Sequence, residues 1–309
     1  MYRHTPRPAQ FLLTAAALVL LGIGAAQAQQ DTLAKIKSTS TVTMGVREAS
    51  GAMSFTTGNG KYAGFHVDVC ERALQGVQKA LGLPRLDIQY QMVTAQNRIP
   101  LLTNGTVDVE CGTTTNNVAR QKEVAFAPTL YVEEVRTAVT VASGITSADQ
   151  LAGKSVAATA GATAVPLVRK YAKEKGLDIQ LLVAKDNAEC FIMLESGRAQ
   201  ACVADGQILA TGIARMREPG KYRVVGEPFN VEPLAIMMSK DSPEFKKLFD
   251  AQIASLSVSG EIARIYDRWF MQPIPPNGIT VNLPASANTQ AAWAQLSDKP
   301  MEAYQVARP

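Results

Sequence analysis

Arginines flanking a hydroxyl-rich turn are the most chemically suggestive residues in this chain. Arg98 precedes and Arg120 follows the run Thr113, Thr114, Thr115, Asn116, Asn117. Side chains of this kind cap a helix N-terminus and leave backbone N–H groups turned outward, where negative charge is stabilised. With Arg120 about one turn further on, the stretch reads as a small-anion site, and a carboxylate suits it. For the turn alone, the competing reading is a capped helix with a solvated charge. Arg47 adds a third guanidinium at the C-terminal end of an apolar segment, Thr41–Val46. In open α/β sheets ligands bind outside the carboxyl ends of strands, so that is where a binding group would stand.

Ile99, Leu101 and Leu102 lie on a short helical segment closed by Asn104 and Gly105, and Val107, Val109 and Cys111 then alternate as a buried strand ending at Gly112. Upstream, residues 31–37 form an entry helix. Val67, Cys70, Leu74, Val77 and Leu81 mark one apolar stripe of a helix over 66–81, which places Cys70 in a core and His66 at a cap or on the surface. Downstream, residues 132–141 are β-rich. Strands at 154–158, 179–183 and 201–204 then alternate with helices at 165–175 and 186–196, the pattern of a parallel sheet with covering helices. Residues 224–233 cross back to a returning strand at 234–239. Helices follow at 243–257 and Glu261–Phe270, and beyond Pro273 a tail is strapped along the surface. Leu102, Gly105 and Thr113 share their spacing with Leu194, Gly197 and Asp205. This internal echo predicts two similar lobes that present Thr113 and Asp205 at equivalent strand ends, facing each other across a cleft.

The first residues read as an address. Arg3, His4 and Arg7 precede an apolar run over 11–26, and Ala26-Gln27-Ala28 has the small-x-small cleavage pattern, so 1–28 is expected to be a signal peptide. The run is short of the ~20 residues that span hydrocarbon. Without Arg3 and Arg7 the formal charge falls from +4 to +2, 29 Lys+Arg against 27 Asp+Glu, which suggests neither a nucleic-acid nor a lipid partner. Removing His4 leaves His66 as the mature chain's histidine. That excludes most zinc sites and Ser/His/Asp or Cys/His triads, and no Gly-rich phosphate loop is present. Cys70, Cys111, Cys190 and Cys202 lack CxxC spacing. No cofactor or metal is called for. Cys190 opens a helix and Cys202 lies on the strand returning beneath it. About 10 Å of helix rise is recovered by about three strand residues, so the pair can meet, and an oxidising compartment permits a disulfide. Two separate core thiols are the alternative.

The segments AQNRIPLL, NGT, ECGTTTNN, RQK and FAPT resemble the landmarks of the periplasmic glutamate/aspartate-binding proteins of ABC importers. The match is dense over about forty residues, runs more thinly from Thr41 to Pro276, and includes SGEIARIYDRWF, which is similar to the closing helix of polar-amino-acid binders. The resemblance implies that Arg120 forks onto a ligand α-carboxylate, with Thr115 and Thr163 adding hydroxyl donors. It further implies that Asp205, helped by Thr113, takes the α-ammonium, and that Arg47 and Arg98 hold a side-chain carboxylate. Three positions depart from the family pattern. Ala95 stands where a serine is usual, Asn187 where a histidine is common, and TAGAT at Thr159 to Thr163 where TSGTT is usual. Asn187 counts among the ligand-binding positions, although its amide would serve an amide ligand equally well.

The expected fold is α/β, the two-lobed type II periplasmic-binding-protein fold, with its cleft between lobes joined by a two-strand hinge. The first lobe takes residues 31–134 and 234–309, including the tail, and the second takes 135–233. The expected function is that of a monomeric periplasmic solute-binding protein that closes around glutamate or aspartate and presents it to a membrane permease. A binder of a neutral polar amino acid such as glutamine or asparagine is the near alternative. An enzyme resembling cyclohexadienyl dehydratases, with Glu110 as general acid, is a further one, although Glu110 reads as an outward or lobe-edge residue. A sensory module is disfavoured because no transmembrane helix follows Phe270 in the sequence.

Overall fold

Asp31 starts the first helix by accepting the Ala34 N–H on its carboxylate at 2.9 Å, and Ser40 ends it in the left-handed conformation. The structure is a computed structural model and describes Met1, Tyr2 and residues 31–303, so residues 3–28 of the expected signal peptide lie outside the described residues. Among the described residues no helix is long and apolar enough to cross a membrane.

In chain order the elements are α1 (Thr32–Thr39), β1 (Thr41–Val46), β2 (Ala49–Ser50), β3 (Ser54–Gly58), β4 (Lys61–Ala63), α2 (Phe65–Ala80), β5 (Asp87–Met92), α3 (Arg98–Thr103), β6 (Val109–Glu110), α4 (Val118–Gln121), β7 (Val124–Phe126) and β8 (Tyr131–Thr140). There follow β9 (Ser155–Thr159), α5 (Ala164–Lys175), β10 (Gln180–Ala184), α6 (Asn187–Glu195), β11 (Ala201–Asp205), α7 (Gly206–Arg215), β12 (Tyr222–Leu234), β13 (Met237–Ser239), α8 (Pro243–Val258), α9 (Glu261–Phe270) and α10 (Ala287–Ala294).

The first sheet has the order β5-β1-β6-β13-β7, with β1 parallel to both neighbours and β13 antiparallel to its own. Val42, Met44 and Val46 alternate inward from β1, as a half-buried strand requires. The α2 stripe buries Cys70, Leu74 and Val77 in the same core. Cys70 is thus a core residue as expected, and it is bonded to Cys111 beyond β6, a disulfide the sequence reading does not foresee. The second sheet has the order β10-β9-β11-β8-β12, with β9, β10 and β11 parallel. Cys190 and Cys202 are joined beneath α6.

Two antiparallel strands connect the sheets. β8 and β12 pair from Tyr131 opposite Leu234 to Thr140 opposite Tyr222, with a register shift between Val225 and Asn230. The C-terminal segment returns across this crossing, where Trp293 Nε1 donates to the Leu130 carbonyl at 2.7 Å and the Val132 N–H donates to Thr289 Oγ1 at 3.1 Å.

Two expectations are corrected. His66 is neither a cap nor a surface residue. It is fully buried with Nδ1 2.6 Å from the Gly112 carbonyl oxygen, and burial lowers its pKa to about 4. Glu110 does not face outward. It is fully buried and its Oε2 accepts from Thr114 Oγ1 at 2.8 Å. The small sheet β2-β3-β4, strand β5 and helix α7 are additions to the sequence reading.

Candidate functional site

The C-terminal ends of β1 and β11 meet across a narrow pocket whose cavity of about 20 Å³ has room for little more than a water molecule. Its wall includes Arg47, Ala95, Arg98, Thr113 and Thr115 from one side and Thr159, Thr163, Asn187 and Asp205 from the other. Thr113 and Asp205 line the same pocket, but their ends are not equivalent, since Asp205 closes β11 while β6 stops at Glu110, three residues before Thr113. Arg120 does not line the wall. It stands behind Thr115, with Nη1 donating to the Thr115 carbonyl at 2.9 Å and Nη2 reaching the Gly161 carbonyl at 3.4 Å across the cleft.

The two wall arginines are only partly engaged. Arg98 Nη1 donates to the Thr113 carbonyl at 2.8 Å, while its Nε and Arg47 Nη1 are buried without a hydrogen-bond partner. Unpaired buried donors on a cation are costly, so the pocket is prepared for an acceptor that carries negative charge. Burial is the main reason the Arg47 pKa falls to about 10, with Arg98 adding to it, and burial then Arg98 bring Arg120 to about 9. All these values leave the guanidinium groups charged at neutral pH.

Carboxylates oppose them. Burial, then repulsion from Glu232, pushes Asp205 up to about 7, against the pull of Arg98, Arg47 and Arg120. Glu133 lies behind Asp205 on β8, accepts the N–H groups of Glu134 at 2.8 Å and Gly206 at 3.0 Å, and is held well above the usual carboxylate range by burial and then by Asp205. Glu110 raises the pKa of both Arg47 and Arg98 from beneath but is not on the pocket wall. That placement leaves it nothing to protonate, which removes the basis for a general-acid role.

Asn187 is more committed than its sequence position suggests. Its Oδ1 accepts from Thr159 Oγ1 at 2.7 Å, and its Nδ2 donates to the Ala49 carbonyl at 2.8 Å, joining the two sides of the cleft. The sequence reading also passes over Glu232. This residue on β12 is 1% exposed, and its Oε2 accepts from Thr115 Oγ1 at 2.6 Å and from Thr163 Oγ1 at 2.8 Å. The available signal was an acid next to Pro233 at the end of the segment that crosses back between the sheets, which also carries Glu227.

Against known proteins, residues 42–272 match the family of bacterial extracellular solute-binding proteins, family 3. The chain is 41% identical over 272 residues to an L-glutamate/L-aspartate-binding protein of Pseudomonas aeruginosa, covering 88% of this chain and 90% of the relative. It is 37% identical over 293 residues to a glutamate/aspartate import solute-binding protein of Escherichia coli, covering 92% and 97%. Among solved structures, an ancestral arginine-binding protein bound to arginine superimposes with a TM-score of 0.65 at 27% identity, over 75% of this chain and 98% of that one. A solute receptor for L-cysteine of Neisseria gonorrhoeae gives 0.69 at 24% identity, over 78% and 94%, which speaks for the two-lobed fold alone.

Proposed function

The chain belongs to family 3 of the bacterial extracellular solute-binding proteins, and from that premise we propose that it captures glutamate or aspartate in the periplasm by closing its lobes and delivers it to an ABC permease. The observation that carries the acidic ligand is the pair of wall arginines with buried, unpartnered donors, Arg47 Nη1 and Arg98 Nε. Two guanidinium groups in one partly dry pocket repel each other, and a ligand carboxylate relieves that repulsion where an amide does not. The α-ammonium goes to Asp205, helped by Thr113, where it offsets the burial and the Glu232 repulsion that disfavour the charged carboxylate. The α-carboxylate goes to Arg120 after that side chain turns from the backbone carbonyls it now holds. Asn187 has little to offer an amide ligand, since its own oxygen and nitrogen already serve Thr159 and Ala49.

We divide the lobes at 31–134 with 234–309, and 135–233, so that β8 and β12 form the hinge. The protein acts as a monomer without nucleic acid, and the segment 1–28 directs its export. Competition titrations test the ligand. Glutamate or aspartate is expected to bind at least about tenfold more tightly than glutamine or asparagine, the factor that loss of one charged contact of about 1.5 kcal/mol gives. Equal affinities would remove the acidic assignment.

A further inference from the structure

The turn that carries Thr115 and Arg120 is held by a part of the chain far away in sequence. Asn116, fully buried but not on the pocket wall, donates its N–H to the Pro233 carbonyl near the end of β12 at 2.9 Å. Its side chain and carbonyl serve the C-terminal segment. Asn116 Nδ2 donates to the Asp298 carbonyl at 2.8 Å, and the Asn116 carbonyl accepts the Met301 N–H at 2.8 Å. Gln121 Nε2 donates to the same Asp298 carbonyl at 3.0 Å, and Glu302 Oε2 accepts the N–H of Val118, the first residue of α4, at 3.0 Å. Met301 Sδ lies 2.9 Å from Asn230 Nδ2 on β12, so the segment touches the hinge strand as well. It lies beyond residues 42–272, the stretch that matches the family.

A helix of four residues, as α4 is, cannot sustain itself, and its conformation comes from what packs and bonds against it. We propose that residues 297–302 are a positioning segment for the carboxylate end of the pocket: gripping Asn116, Val118 and Gln121, they hold the turn so that Arg120 stands ready for the ligand's α-carboxylate. The inference rests on the amino-acid ligand proposed above. None of residues 297–302 is on the pocket wall, so the segment acts through Arg120 and Thr115. When a binding-competent conformation is only partly populated, apparent affinity falls by that fraction. Here the loss falls on the α-carboxylate, because the distal carboxylate is assigned to Arg47 after β1 and Arg98 on α3, outside the turn.

The test compares glutamate with isoglutamine, which keeps the distal carboxylate and the ammonium but has a neutral amide in place of the α-carboxylate, by calorimetry on the full mature protein. Met301→Pro removes the N–H that the Asn116 carbonyl accepts, at the first position of the short helical turn Met301–Ala303, where proline is tolerated. Glu302→Ala removes the acceptor of the Val118 N–H. The double variant is expected to bind glutamate about tenfold more weakly and isoglutamine within about threefold of the parent, the loss that one or two ordinary hydrogen bonds in the turn's support would give. Met301→Leu with Glu302→Gln, which keeps the N–H and an accepting oxygen, is expected to bind glutamate within about threefold of the parent. An unchanged glutamate-to-isoglutamine ratio in the first double variant overturns the inference, and so does an equal loss in the second. If the first does not fold, Glu302→Ala alone decides, with about a threefold loss confined to glutamate expected and an unchanged ratio overturning the inference. Failure of the unaltered protein to bind glutamate would remove the proposed function and this inference together, whereas binding with an unchanged ratio in the variants removes the inference alone.

Discussion

Gly161→Ala tests whether binding depends on closure of this particular cleft. Gly161 has φ +76, and a Cβ there would lie 2.6 Å from the Ala95 carbonyl oxygen and 2.8 Å from the Gln96 Cα, both on the opposite side of the cleft. Restoring ordinary contact at 3.4 Å requires the two sides to part by about 0.8 Å. That movement stretches the bond from Asn187 to Ala49, now 2.8 Å, and the bond from Thr115 to Glu232, now 2.6 Å, past useful length. It also breaks the longer contact from Arg120 to Gly161. Forcing an extra methyl into a packed contact costs about 1 to 3 kcal/mol, so glutamate affinity is expected to fall about 5- to 150-fold. The left-handed backbone adds strain of about 1 to 2 kcal/mol, but that cost exists with the cleft open or closed and registers in Tm. Gly153→Ala is the matched control, since Gly153 has φ +67 with nothing within 4 Å of the added Cβ. Calorimetric affinities and Tm values for both variants separate the two effects. A Gly161→Ala protein that binds within twofold of the parent, or a Gly153→Ala protein that loses as much affinity, would refute the reasoning.

Removing a wall guanidinium should be costlier than a neutral contact: Arg98→Met is expected to weaken glutamate by about 2 to 5 kcal/mol and glutamine much less, and equal losses by titration would count against its role at the distal carboxylate. Burial and Glu232 hold Asp205 at about 7 in the empty pocket, above the ordinary aspartate value, and a ligand ammonium favours the charged form. Binding below that pH therefore releases a proton, so affinity climbs with pH and levels off above about 7; calorimetry near pH 6 in buffers of different ionisation enthalpy should register the release, and uptake or no transfer would contradict it. The Cys70–Cys111 bond closes a separation of 41 residues and Cys190–Cys202 one of 12. Chain entropy assigns them about 4 and about 3 kcal/mol, so Cys70→Ala with Cys111→Ala should lower Tm more than the Cys190→Ala, Cys202→Ala pair, and the reverse order would refute this account.

Periodicity carried much of the fold because the elements around the pocket have simple faces. The stripe Val67, Cys70, Leu74, Val77 marks α2 to within a residue at each end, and β1 and α9 fall where their patterns place them. The echo between the segments ending at Thr113 and Asp205 was legible for the same reason: two buried strands lead toward one pocket, β11 ending at Asp205 and β6 stopping at Glu110, three residues before Thr113. Buried polar groups were not legible. His66, Glu110 and Glu232 are polar in type, and what buries them is a partner distant in sequence: the Gly112 carbonyl for His66, and the Thr115 and Thr163 hydroxyls for Glu232. Glu110 finds Thr114 nearby, but its full burial comes from tertiary packing, with Gly45 and Gly112 close against it. The β3–β4 hairpin had a local signal in Asn59–Gly60, both at positive φ, which the sequence reading leaves unused. Helix α7 is obscured by Gly206, Thr211 and Gly212, which weaken its propensity although its apolar residues Ile208 and Leu209 are buried.

A crystal structure of the glutamate complex tests the central claim most directly. The account predicts the distal carboxylate oxygens within about 3.2 Å of Arg47 Nη1 and Arg98 Nε, the donors now buried without partners. A distal carboxylate turned away from both, with those nitrogens still unpaired, would contradict it.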